Sequence, residues 1–189
     1  MPIALAIARA CWMIWLLLWM VFALRTKPAQ RSESVASRLR YSVLATAGFV
    51  LIFWQRLVPP PLRDHWLPAS SSIDVLGLTL TVAGLGLTFW ARVHLGANWS
   101  GQVTVKVDHS LIRTGPYARV RHPIYSGILL AAVGTALLHR ETGDLLGLIL
   151  IFAAFWTKLR TEERFMSETF GAQYESYAHH TGALLPRLR

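Results

Sequence analysis

The feature that most constrains this chain is an apolar run from residue 3 to residue 24, interrupted only by Arg9. As an α-helix rising 1.5 Å per residue it reaches roughly 33 Å, enough to cross a hydrocarbon core of about 30 Å. In lipid such a segment must be helical, because a helix satisfies its own backbone polar groups. Four further runs follow, at residues 41–58, 75–95, 124–138 and 145–159. The second is stopped by Pro59-Pro60-Pro61, and the third opens after Ser70-Ser71-Ser72, residues favoured at helix N-caps. The last two are short and joined by a turn-like segment at residues 139–144, which reads as a tight helical hairpin.

Composition agrees. Hydrophobic residues make up 53% of the chain and charged residues only 15%, against about 25% charged in soluble domains. Disorder is excluded by the apolar content, and a disulfide-stapled module by the presence of one cysteine, Cys11. A cleaved signal peptide would need a basic start and a shorter core than residues 3–24, so a retained helix is expected. The expectation is an all-α integral membrane bundle of five transmembrane helices, one domain over residues 1–189.

The net charge of +9 sits in the gaps between runs. Arg25, Lys27, Arg31, Arg38 and Arg40 face one acid, Glu33, in the first gap; Arg63 faces Asp64 and Asp74 in the second. The third holds Arg92, Lys106, Arg113, Arg119 and Arg121 against Asp108, and the hairpin tip holds Arg140 against Glu141 and Asp144. The alternation predicts an outside N-terminus, a cytoplasmic C-terminus and basic loops facing anionic lipid. Nucleic acid is not expected, because no basic patch occupies a water-exposed face. Small residues recur at helical spacing at Gly77, Thr81, Gly84 and Thr88, and again at Gly127, Ala131 and Gly134. Close helix packing accounts for both.

The runs carry almost no ionisable group besides Arg9, which argues against a pump or carrier. Polar chemistry gathers in two stretches. The first holds Gln102, His109-Ser110-Leu111-Ile112, Gly115-Pro116-Tyr117 and Arg121-His122-Pro123-Ile124-Tyr125-Ser126-Gly127. Pro123 suits the first position of a helix, whose free backbone donors beside His122 and Tyr125 would suit a carboxylate or phosphate. Interfacial anchoring is the commoner role for any one of these residues, but their crowding at one helix start favours a site. The second stretch is Lys158-Leu159-Arg160-Thr161-Glu162-Glu163-Arg164. Its acids and arginines could grip the ammonium and carboxylate of an amino-acid-like ligand, or form a salt-bridged helix end, since Arg160 and Glu163 are i,i+3. No metal is expected: the seven histidines show no ligand spacing. Dinucleotide and phosphate loops and a serine elbow are absent from the sequence.

Gly115-Pro116-Tyr117, Arg121-His122-Pro123-Ile124-Tyr125-Ser126-Gly127, the apolar hairpin, Arg160-Thr161-Glu162-Glu163 and Phe170-Gly171-Ala172-Gln173-Tyr174 together resemble the isoprenylcysteine carboxyl methyltransferase family. The same arrangement is shared with phospholipid N-methyltransferases, and its first half with sterol reductases. The resemblance runs from Trp90 to the C-terminus, about half the chain. It implies a cytoplasmic pocket for S-adenosylmethionine, built from residues 98–189, and a lipophilic prenylated acceptor entering from the bilayer. Carried over by position, Gln102, His109, Ser110, Leu111, Ile112, Tyr117, His122, Pro123, Ile124, Tyr125 and Glu162 would contact the cofactor, with Glu163 the alternative to Glu162. Arg160 would hold the substrate carboxylate, and Arg160 and Glu162 would be the catalytic pair. The reaction implied is methylation of a prenylated cysteine or a similar lipophilic carboxylate. The alternatives are a phospholipid or amine N-methyltransferase, an NADPH-dependent sterol-type reductase and a membrane scaffold. A carboxylate acceptor needs no base, only alignment, dryness and charge balance.

Overall fold

The computed structural model describes residues 2–24, 26–106 and 110–187. Five apolar helices dominate it: α1 (Pro2–Ala23), α2 (Val35–Phe53), α3 (Ser71–Leu95), α4 (Pro123–His139) and α5 (Thr142–Phe170). A short α6 (Ala172–His180) follows. Four segments are long and apolar enough to cross a membrane, Ile3–Ala23, Val35–Phe53, Ser71–Asn98 and Thr142–Phe170. At 17 residues α4 is shorter, about 25 Å. It is buried along most of its length, packed chiefly on α3 and also on α5 and α1.

Several boundaries differ from those the sequence suggests. The second helix starts at Val35, because Ser34 caps it by accepting a hydrogen bond from the Ser37 N–H at 3.2 Å. It ends at Phe53, before the three prolines, the last two of which open a separate 3-10 turn at Pro60–Leu62. The fifth helix continues well past residue 159, because nothing before Gly171 (φ +50°) breaks it. Its polar last turns still bury side chains against the loops. The fold is also not purely helical. Strands β1 (Ala29–Ser32) and β2 (Thr104–Lys106) pair antiparallel and tie the loop after α1 to the loop after α3. Polar segments this short carry no legible alternation.

Two close helix contacts set the frame. α3 lies on α4 so tightly that a Cβ at Gly84 would sit 2.5 Å from the Ala131 N and the Gly127 O. α2 lies on α5 likewise, where a Cβ at Gly48 would sit 2.7 Å from the Gly147 O. The small-residue stripes therefore do what close packing requires of them. The α4–α5 hairpin turns on Arg140, a left-handed C-cap (φ +64°) that is fully buried and ion-paired with Asp74. Glu141 and Asp144 then cap α5 reciprocally. At the other end the start of α4, the last turns of α5, α6 and the ribbon converge. The site lies there.

Candidate active site

The start of α4 is held from two sides. The backbone N–H groups of Arg121 and His122 donate to the carbonyls of Gly182 (2.8 Å) and Ala183 (3.0 Å), so the tail after α6 straps the loop down. From α5 come two acids. Glu162 accepts from the Tyr125 hydroxyl at 2.5 Å, and its other oxygen lies 3.4 Å from His122 Nδ1. Glu163 takes Arg121 Nε and Nη2 at 2.8 Å on one oxygen, which also lies 3.3 Å from His122 Nε2. His122 thus bridges both carboxylates. Burial alone would lower its pKa, but the hydrogen bonds and negative charges of Glu162 and Glu163 outweigh it and hold the imidazole above its ordinary value. The ring stacks on Tyr125 (5.5 Å, 7°), which stacks on Phe155 (4.7 Å, 20°). Both carboxylates thus lie at the α4 start expected to hold an anion, where they pair with the side chains of Arg121, His122 and Tyr125.

A cavity of about 320 Å³ opens beside this network. That is within the usual range for small-molecule sites, about 300–1,000 Å³. One part is polar, lined by Asn98, Gln102, Thr104, Ser110, Lys158 and Glu162. The other is apolar and reaches down between the helices to Trp15, Trp19, Leu95, Ile128 and Phe155. Tyr117 and Tyr177 close a third side, with the Tyr177 hydroxyl donating to the Tyr117 carbonyl at 2.7 Å. Burial pushes the Tyr177 phenol up to about 12, and burial, then Glu162, pushes that of Tyr117 higher still, so both stay neutral. Asn98 Oδ1 and Thr104 Oγ1 are buried without a hydrogen-bond partner among the described residues. Leaving such atoms unpaired costs on the order of 1–3 kcal/mol each. Both residues line the cavity, so a polar ligand with donor groups and a positive charge facing Glu162 fits what is there.

Of the residues singled out from sequence, Gln102, Ser110, Leu111, Ile112, Tyr117, His122, Ile124, Tyr125 and Glu162 line this cavity. Pro123 does not; it is buried as the first residue of α4 and shapes the turn. His109 lies outside the described residues. The two acids divide: Glu162 faces the cavity, while Glu163 faces Arg121 and a shallow depression beyond. Arg160 is exposed and lines that second depression with Arg164 and Glu175. Two residues along an α-helix differ by about 200°, so Arg160 and Glu162 leave the helix on opposite sides and line different depressions. The residue that shares the face of Glu162 is Lys158, four positions earlier. Its ammonium donates to the Gly101 carbonyl at 2.9 Å and lies 5.4 Å from the Tyr125 ring centroid. Helical spacing could have found it. Trp15 and Trp19, far upstream on α1, had no such local signal.

Residues 76–168 match the isoprenylcysteine carboxyl methyltransferase family. A probable protein-S-isoprenylcysteine O-methyltransferase of Oryza sativa subsp. indica is 30% identical over 70% of this chain and 68% of that protein. Protein-S-isoprenylcysteine O-methyltransferase B of Arabidopsis thaliana is 27% identical over 82% and 75%. A solved structure of the eukaryotic intramembrane Ras methyltransferase, isoprenylcysteine carboxyl methyltransferase, aligns with a TM-score of 0.58 at 27% identity. That alignment covers 77% of this chain and 52% of the other, so the chain spans about half the length of the solved enzyme.

Proposed function

The chain belongs to the isoprenylcysteine carboxyl methyltransferase family, and on that premise we propose that it esterifies the carboxylate of a prenylated cysteine with a methyl group from S-adenosylmethionine. One observation carries this reading. A single cavity joins a polar part, with Glu162 and two unpartnered acceptors, to an apolar part walled by membrane-spanning helices. The polar part suits the cofactor and the acceptor carboxylate, the apolar part an isoprenoid tail.

S-adenosylmethionine, when bound, supplies an electrophilic methyl group on a positively charged sulfur. Glu162, fixed by Tyr125 and His122, presents the balancing negative charge. Asn98 Oδ1 and Thr104 Oγ1 offer acceptors to the cofactor's donor groups. Lys158 offers the cation nearest to Glu162 on the same helix face and would take the carboxylate role that the family resemblance implied for Arg160. The acceptor carboxylate is already nucleophilic, so these residues have to align it and exclude water rather than remove a proton. Trp15, Trp19, Phe155 and the neutral tyrosines supply the dry wall.

The basic loops support a cytoplasmic pocket end, against anionic lipid, with the N-terminus outside. On this reading α4, though short, is a fifth span, shielded from lipid by α3 and α5. Calorimetric titration of the detergent-purified protein with S-adenosylhomocysteine and, separately, with NADPH tests the cofactor assignment. Binding of the first alone is expected. Binding of NADPH alone would point to the reductase relatives instead.

A further inference from the structure

The threonines on the α3 and α4 packing faces do more than let backbones approach. Thr88 accepts a hydrogen bond from Trp15 Nε1 at 2.6 Å, and Thr135 accepts one from Trp12 Nε1 at 2.9 Å. Both indoles come from α1, three residues apart, and Trp19 follows one turn on, so the three share a helix face. Only 11% of the α1 span is buried, yet these side chains turn inward. Trp15 meets Trp12 edge-on at 5.5 Å and stacks on Trp19 at 4.7 Å; Trp19 meets Trp99 edge-on at 5.3 Å.

The cavity ends within this ladder. Trp19 and Trp15 line it, whereas Trp12 does not: it is 8% exposed and packed against Phe49 and Phe53. The apolar end is therefore closed at the level of Trp15, with Ile128 and Phe155 beside it. An indole N–H at this depth has no water to bond, so its threonine partner selects one orientation of the ring. A wall held in one orientation excludes volume, where a mobile aliphatic wall would yield.

Resting on the prenylcysteine reading above, we infer that Trp15, locked by Thr88, sets the length of isoprenoid tail this enzyme accepts. The tail occupies the apolar end, and its far end stops on the indole. Truncating Trp15 extends the cavity to Trp12, which has its own threonine lock.

The test is kcat/KM of the full-length protein on a series of N-acetylcysteines carrying geranyl, farnesyl or geranylgeranyl tails. Trp15→Ala should raise the geranylgeranyl-to-farnesyl ratio at least tenfold over wild type. Thr88→Val keeps the shape of residue 88 but frees the indole, and should shift the ratio the same way by two- to threefold. Trp19→Ala, one turn nearer the mouth, should weaken all three acceptors alike. Should Trp15→Ala fail to fold, Trp15→Leu and Thr88→Val carry the same test. An unmoved ratio in any active variant of Trp15 or Thr88 overturns the inference while leaving the methyltransferase reading intact. A wild-type protein inactive on the whole series would overturn both.

Discussion

His122 stands between two carboxylates, which makes the site's integrity depend on pH. Its pKa is raised in the folded protein, so the protonated form is the one that folding favours. That contribution is complete below the ordinary histidine value of about 6.5 and is lost as pH rises through the elevated one. Wild-type Tm in detergent should therefore fall as pH is raised above 6.5, and His122→Gln should flatten that slope. Parallel slopes would remove His122 as the cause. Glu162→Gln takes away the charge facing the cavity and should weaken S-adenosylhomocysteine ten- to a hundredfold, about 1.5–3 kcal/mol for a charged hydrogen bond. Lys158→Met should slow turnover at least tenfold, about 1.4 kcal/mol, while Arg160→Lys stays within twofold of wild type. The reverse order would return the acceptor carboxylate to Arg160. His122 and Tyr125 were legible in the sequence because a proline-started helix announces itself; the adjacent acids were legible only as a pair, and the turn of α5 decides that Glu162 faces the cavity. Lys158, which lines the cavity, was not singled out in the sequence, because chain proximity to Glu162 draws attention to Arg160 where helix geometry points to the residue four positions back.

The helices are placed by contacts between backbones, and the glycines allow a sharp contrast. A methyl at Gly84 would meet the Ala131 N and the Gly127 O, whereas one at Gly86 would meet nothing within 4 Å. Gly84→Ala should destabilise by roughly 1–3 kcal/mol as α3 and α4 are forced apart. Gly86→Ala, on the same helix, should be neutral or stabilising by about 0.5–1 kcal/mol. Thermal unfolding of the two variants in one detergent measures the difference, and equal effects would contradict the close packing of α3 on α4. Gly77, Thr81, Gly84 and Thr88 showed this face in the sequence by their spacing alone. What the spacing could not show was Thr88 bonding an indole of α1, a partner 73 positions away in the chain. The ribbon was equally hidden. β1 and β2 are held by backbone pairing between distant loops, with no side-chain pattern to mark them.

At the scale of the whole molecule, the apolar runs outline the bundle in the sequence alone. They do so because a bilayer imposes length and polarity on every segment that crosses it. The site is different in kind. It is assembled from α1, the loop after α3, the start of α4 and the last turns of α5, so only its C-terminal half reads as one motif. The proposed orientation predicts that reporters fused at the C-terminus and inserted near Arg63 lie on opposite sides of the membrane; a shared side would remove one span. The central claim is the chemistry, and the bond formed tests it most directly. The purified protein is supplied with methyl-labelled S-adenosylmethionine and both N-acetyl-S-farnesylcysteine and phosphatidylethanolamine, and the lipid-soluble product is treated with mild base. A methyl ester releases its label as volatile methanol, and this account predicts that nearly all of the label is released. Label retained in a base-stable phospholipid amine would contradict it.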